Sequence, residues 1–175
     1  MFQKIAVIGN IAGGKTRLSQ SLAARYSLPL THIDRLQFLP GMKMRPLDET
    51  RKSLTEVTAQ DKWIVDGFGP LDLLEPRLKM ADQIVFIDLP IWRHYWWLTK
   101  RQIQNLWSVR AELPAGCHER SWEHTQKLYK TMRQIHTKMR PEMLRILERP
   151  HYKNKTVLIR DMQTWNKVFQ KGLIP

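Results

Sequence analysis

The sequence predicts an α/β fold with a five-stranded parallel sheet between helical layers. Three observations predict it. Five short apolar segments alternate with helical patterns along the chain, the pattern of βαβ units. The first strand runs directly into a glycine-rich turn and then a helix. The 175 residues and 20.8 kDa suit a single domain over residues 1–175 with a sizeable core.

The first strand, Lys4–Ile8, opens into Gly9-Asn10-Ile11-Ala12-Gly13-Gly14-Lys15-Thr16, a complete G-x-x-x-x-G-K-T loop. A helix follows over Arg17–Tyr26, with Leu18, Leu22 and Tyr26 on one face. Each residue type has a reason. Gly9, Gly13 and Gly14, with Asn10 and Ala12 between, let backbone N–H groups close around phosphate oxygens. The helix directs its positive dipole end at the same oxygens. Lys15 reaches the β- and γ-phosphates, and the Thr16 hydroxyl suits Mg²⁺. The loop makes the fold a P-loop NTPase three-layer α/β/α sandwich and the ligand a nucleoside triphosphate or a molecule of that shape.

The other strands read as Leu28–Ile33, Lys62–Val65, Gln83–Asp88 and Thr156–Arg160. Helical patterns cover about Leu47–Gln60, Trp92 to about Val109, Trp122–Leu147 and Met162–Gln170. Pro141 should kink the third of these. Three strands end in carboxylates. Asp66 closes Trp63-Ile64-Val65-Asp66-Gly67 and reads as a ligand of Mg²⁺ or of its water shell. Asp34, ending Thr31-His32-Ile33-Asp34, reads as a base for a substrate hydroxyl or as a helix cap. Asp88, in Phe86-Ile87-Asp88-Leu89-Pro90, precedes a helix carrying Arg93, Lys100 and Arg101, cations suited to phosphoryl oxygens.

Charge is uneven. Residues 1–90 hold 12 Lys/Arg against 10 Asp/Glu, whereas residues 91–175 hold 17 against 6. That second half, net +11, invites a polyanion, either nucleotide phosphates or nucleic acid. No helix-turn-helix, zinc finger or single-strand platform accompanies it. Trp92 and Trp96 share a helical face and read as core, while Trp107 and Trp122 suit a pocket lining. The basic stretch Lys127–Arg149 reads as a solvated face opposite Leu128, Met132, Ile135, Met139 and Met143. The single cysteine, Cys117, forms no internal disulfide, and no run of 18 apolar residues occurs. With no room for a signal peptide ahead of Lys4, a cytoplasmic location is expected.

The order of these motifs resembles the adenylate-kinase-like group of P-loop kinases. Within it, the chain is most similar to the topology modulation, or adenylate-kinase-related, proteins. The likeness rests on His32-Ile33-Asp34-Arg35-Leu36, Leu39-Pro40-Gly41, Trp63-Ile64-Val65-Asp66-Gly67, Arg77-Leu78-Lys79-Met80-Ala81-Asp82, Ile87-Asp88-Leu89-Pro90, Lys100-Arg101 and Leu113-Pro114-Ala115-Gly116-Cys117. The resemblance implies ATP and Mg²⁺, a helical lid over about residues 102–127 and an acceptor-binding segment over about 35–61. It gives Lys15, Thr16, Asp66 and Arg101 phosphate, metal and transition-state roles, and places Arg160 and Asp161 beside the adenine.

Two departures narrow the expected reaction. Pro70 and Trp97 stand where arginines are usual in adenylate kinases, and only Arg77 and Arg93 lie near to substitute. With Asp34 as a base, this favours a hydroxyl acceptor over a nucleoside monophosphate. The expected function is an ATP-dependent kinase of a small molecule. The alternative is a nucleotide-binding regulatory protein that contacts DNA or RNA through its basic half.

Overall fold

Residues 4–9, 63–66 and 83–87 are almost continuously apolar, as strands buried on both faces must be. In the computed structural model, which describes residues 2–40, 43–104 and 122–173, they form the centre of a parallel sheet. The strands are β1 (Lys4–Gly9), β2 (Leu30–His32), β5 (Trp63–Asp66), β6 (Gln83–Ile87) and β7 (Thr156–Ile159), in the order β2-β5-β1-β6-β7. Two short strands, β3 (Phe38–Leu39) and β4 (Lys43–Met44), pair separately as an antiparallel ribbon.

Strand alternation sorts the core into two halves. Ala6, Ile8, Val65, Ile84 and Phe86 face one side, with Leu54 of α3 (Leu47–Thr58), Leu78 of α4 (Leu74–Met80) and Met143 of α7 (Arg140–Leu147). Ile5, Val7, Ile64, Val85 and Ile87 face the other, with Leu18 and Leu22 of α1 (Lys15–Tyr26) and Trp165 and Val168 of α9 (Met162–Lys171). The remaining helices are α2 (Ile33–Gln37), α5 (Ile91–Gln104), α6 (Trp122–Gln134) and α8 (Pro150–Lys153). The expected three-layer architecture is therefore the observed one.

Three local readings change. Ile33, expected to end a strand, instead opens α2 directly after His32, so β2 is only three residues long. Helix α4, only seven residues long and with Pro76 in its first turn, where the missing N–H is not needed, is too short to show periodicity and has no clear signature in the sequence. The third is a correction. Trp92 and Trp96 are not core: they are 59% and 65% exposed. Spacing of four residues shows that two side chains share a helix face, but not which face meets the core. Here His94 and Leu98 take the buried face of α5, and the indoles lie on the opposite one.

At Pro141 the helical hydrogen-bonding pattern changes. The proline lacks the N–H that the carbonyl of Thr137 needs, and residues Ile135–Met139 widen into a π-helical turn closed from the Arg140 N–H to the Ile135 carbonyl. The long basic segment becomes α6, a π turn and α7. Met132 and Met143 are buried in it, while Lys127, Lys130, Arg133, Lys138 and Arg145 are exposed.

Candidate active site

All five parallel strands present their carboxyl ends on one edge, where ligands bind in open α/β sheets. The loop Gly9–Thr16 lies on that edge between β1 and α1. Gly9 has φ +150°, and a Cβ there would stand 2.6 Å from the Ile87 carbonyl oxygen. Gly14 caps α1 at φ +78°, with its missing Cβ position 3.2 Å from Trp165 Nε1 of α9. Ala12, at φ +54°, holds a left-handed conformation unusual for its type and places backbone strain inside the loop.

Side chains from distant segments hold the loop in shape. Asn10 Oδ1 accepts from Ile11 N at 2.8 Å, while its Nδ2 donates to the Met132 carbonyl at 3.0 Å. His94 Nδ1 donates to the Ile11 carbonyl at 2.7 Å, which selects the Nδ1–H tautomer. Burial pushes His94 below the ordinary 6.5, the Ile11 bond opposes this, and nearby Lys15 adds to the depression. Lys15 Nζ donates to the Asn10 carbonyl at 2.8 Å, so the ammonium lies over the loop's own backbone. Thr16 is half-buried in the first turn of α1.

Asp66 sits at the end of β5, opposite Val7 of β1 and His32 of β2. Its Oδ2 is 3.0 Å from His32 Nδ1, and both side chains are buried. Its Oδ1 is buried and has no hydrogen-bond partner among the described residues. A buried carboxylate oxygen in that state is costly unless a cation or bound water meets it. Asp66 thus fits a metal site, and His32 leaves one of its oxygens open for the purpose. Asp34 stands two residues past His32, half-buried in the first turn of α2.

Arg77 is 1% exposed and donates from one guanidinium nitrogen to the carbonyls of Gly67 (2.8 Å) and Phe68 (2.9 Å). Burial pushes it down to about 10, partly offset by Asp66. It braces the turn after Asp66 from beneath, whereas Arg93 stacks 4.6 Å over the Trp92 ring. Trp97 packs against the core beside α1 and α9. Arg77 is thus committed to that turn, whereas Arg93 is half-buried on the flank of α5.

Asp88 follows β6, buried, and is clasped by two guanidinium nitrogens of Arg140, the second at 2.9 Å. Arg160 Nε lies 3.7 Å from the same carboxylate, and the Arg160 side chain is largely exposed. Asp161 is committed to capping α9, accepting from Thr164 N at 2.7 Å. Arg101 lies seven residues after His94, two turns along α5 on the same face, and is half-buried. Residues 105–121 of the expected lid, with Trp107 and Cys117, lie outside the described residues, and Trp122 is 74% exposed.

The structure thus brings the loop, Asp66 and Asp34 to one sheet edge, with Arg160 at β7. Two participants have no motif of their own: His94 carries no sequence signal beyond its closeness to Pro90, and Arg140 reaches Asp88 across 52 residues. His32 opens the His32–Leu36 motif, but its pairing with Asp66 had no signal there. Asp88 itself shared the strand-end position of Asp34 and Asp66.

No protein-family model matches the chain, and no curated protein matches its sequence. Solved structures are similar to it in fold. A sugar kinase from Janibacter sp. HTCC2649 aligns with a TM-score of 0.54 at 12% identity, over 99% of this chain and 93% of that one. Shikimate kinase from Bacteroides thetaiotaomicron aligns with a TM-score of 0.50 at 12% identity, over 98% and 96%. The chain has the three-layer α/β/α fold of the P-loop kinases.

Proposed function

We propose that the chain is an ATP- and Mg²⁺-dependent phosphotransferase that moves the γ-phosphoryl group to a hydroxyl of a small acceptor. One observation carries the reading: a buried carboxylate oxygen of Asp66, without a protein partner among the described residues, beside the strand that becomes the phosphate loop. A bound cation would meet that oxygen and offset the cost of burying it. The fold supports the same class. The motif order supports a relation to the topology modulation group.

In this reading Gly9, Asn10, Ala12, Gly13 and Gly14 supply the backbone cradle for the phosphates. Lys15 exchanges the Asn10 carbonyl for the β- and γ-phosphate oxygens. Thr16 and Asp66 hold the Mg²⁺, which when bound neutralises phosphate charge and fixes its geometry. Asp34 takes the proton of the acceptor hydroxyl as that oxygen bonds to the γ-phosphorus and the bond to the ADP oxygen breaks. Arg101 stabilises charge on the transferring group, and Arg160 lies beside the base. Residues 35–61, here α2, the β3–β4 ribbon and α3, line the acceptor side. The domain is single and works in the cytoplasm.

The test is ADP formation from Mg-ATP against nucleoside monophosphates, nucleosides and small hydroxylated metabolites, with wild type and Lys15→Ala side by side. Acceptor-dependent turnover that vanishes in Lys15→Ala is the expected result. ATP binding with no acceptor-stimulated turnover overturns the transferase reading.

A further inference from the structure

Helix α5 has two unlike faces. His94, which donates to the phosphate loop, and Leu98 are buried. At 100° per residue, Trp92, Trp96 and Ile103 fall on the opposite side. They are 59%, 65% and 52% exposed. Thr99 completes the strip, and Tyr95 borders it, stacked on Tyr129 of α6 at 5.8 Å and 14°. The Tyr129 hydroxyl lies 2.6 Å from Thr99 Oγ1. Trp92, Tyr95, Trp96 and Thr99 wall an open groove of about 560 Å³.

The surrounding charge has one sign. Helix α5 carries Arg93, Lys100 and Arg101 and no carboxylate. Helix α6 carries Lys127, Lys130 and Arg133 against Glu123 alone. Arg93 lies over the Trp92 ring, and Lys100 sits one turn past Trp96 on the same flank. Exposed indoles interleaved with cations are the requirement for stacking bases while neutralising phosphates. A lipid surface also accepts indoles beside cations, but it takes a helix whose apolar face is free to sink into the headgroup boundary. The strip offers one aliphatic side chain, Ile103, on a helix already held to the core by its other side.

We propose that the outer face of α5 binds single-stranded nucleic acid. Bases stack on Trp92 and Trp96, and the backbone runs past Arg93, Lys100 and the cations of α6. The strip from residue 92 to 103 is roughly 17 Å long. It faces away from the phosphate loop, so the site is independent of phosphoryl transfer.

The experiment is fluorescence anisotropy of a labelled oligothymidylate of about 16 nucleotides, a length that spans such platforms. Wild type should bind, with affinity falling steeply between about 50 and 200 mM salt. Trp92→Ala and Trp96→Ala, both at exposed positions, should each weaken binding about tenfold at unchanged melting temperature. Arg93→Ala should reduce the logarithmic salt slope by about 0.7. Lys15→Ala and saturating Mg-ATP should change nothing, which separates this site from the proposed transferase site. The proposal is overturned if the tryptophan variants bind like wild type or if Mg-ATP competes. It is equally overturned if the same tryptophans govern binding to phosphatidylserine vesicles, or self-association, and not to the oligonucleotide.

Discussion

His32 Nδ1 lies 3.0 Å from Asp66 Oδ2 across two neighbouring parallel strands, and neither side chain has appreciable access to water. The pair occupies one oxygen of Asp66 and leaves the other facing the proposed metal position. His32→Ala should leave both oxygens buried without a donor, costing about 1–3 kcal/mol. Loss of the orienting partner should also weaken divalent-metal affinity about 10- to 100-fold. His32→Asn, whose Nδ2 takes the place of Nδ1, should recover much of both. Thermal unfolding and Mn²⁺ titration check the two effects. Unchanged Mn²⁺ affinity in His32→Ala would show that Asp66 is not held for a metal.

Asp34→Asn separates binding from chemistry. The substitution keeps the shape of the α2 first turn while removing the proton acceptor. ATP affinity should be unchanged and acceptor-dependent turnover lost. Turnover at the wild-type rate would remove Asp34 from the base role and leave it as an acid in the first turn of α2, favourable to the helix dipole.

The Asp88–Arg140 pair is a stability prediction. Asp88 is nearly inaccessible, so Arg140→Met strands a buried carboxylate, with Arg160 at 3.7 Å as a partial substitute. A loss of about 3 kcal/mol is expected. Combining it with Asp88→Asn should recover part of the loss, because the stranded charge is then gone. Chemical denaturation of the two single variants and the double variant gives the coupling. Additive losses would mean that the two side chains contribute independently.

His94 makes stability depend on pH. Its folded-state affinity for protons is depressed by burial, and that of His136 is lowered by burial and then by Arg140. The unfolded chain therefore takes up these protons first, at about 6.5. Stability is at its full value above that pH and falls as pH drops from about 6.5 toward the folded-state values. His94→Gln, which retains a donor for Ile11, should flatten this slope, with His136 supplying the remainder. Unfolding free energies measured across that range check it; a slope identical to wild type would place the His94 proton elsewhere.

Gly9 tests the junction of loop and sheet. With φ +150° and only 2.6 Å between a new Cβ and the Ile87 carbonyl, Gly9→Ala must push β1 away from β6. A loss of at least about 2 kcal/mol is expected, together with weaker nucleotide binding. Calorimetry with and without nucleotide checks both.

By itself the sequence determined the architecture and most of the proposed site. Near-continuous apolar runs of four to six residues become central parallel strands with little choice, and the order Gly9 to Thr16 specifies a loop geometry locally. The acids at the ends of β5 and β6, and Asp34 two residues past β2, were legible because the carboxyl ends of parallel strands share an edge. Tertiary structure decided what periodicity leaves open. Trp92 and Trp96 share a helix face whichever way α5 is rolled, and only the docking of His94 and Leu98 turned that face to water. The partners of Asp66 and Asp88 were likewise undetermined, since His32 and Arg140 reach them across 34 and 52 residues. Such pairings depend on which strands and helices lie adjacent, a property of the assembled sheet and its layers rather than of any local segment.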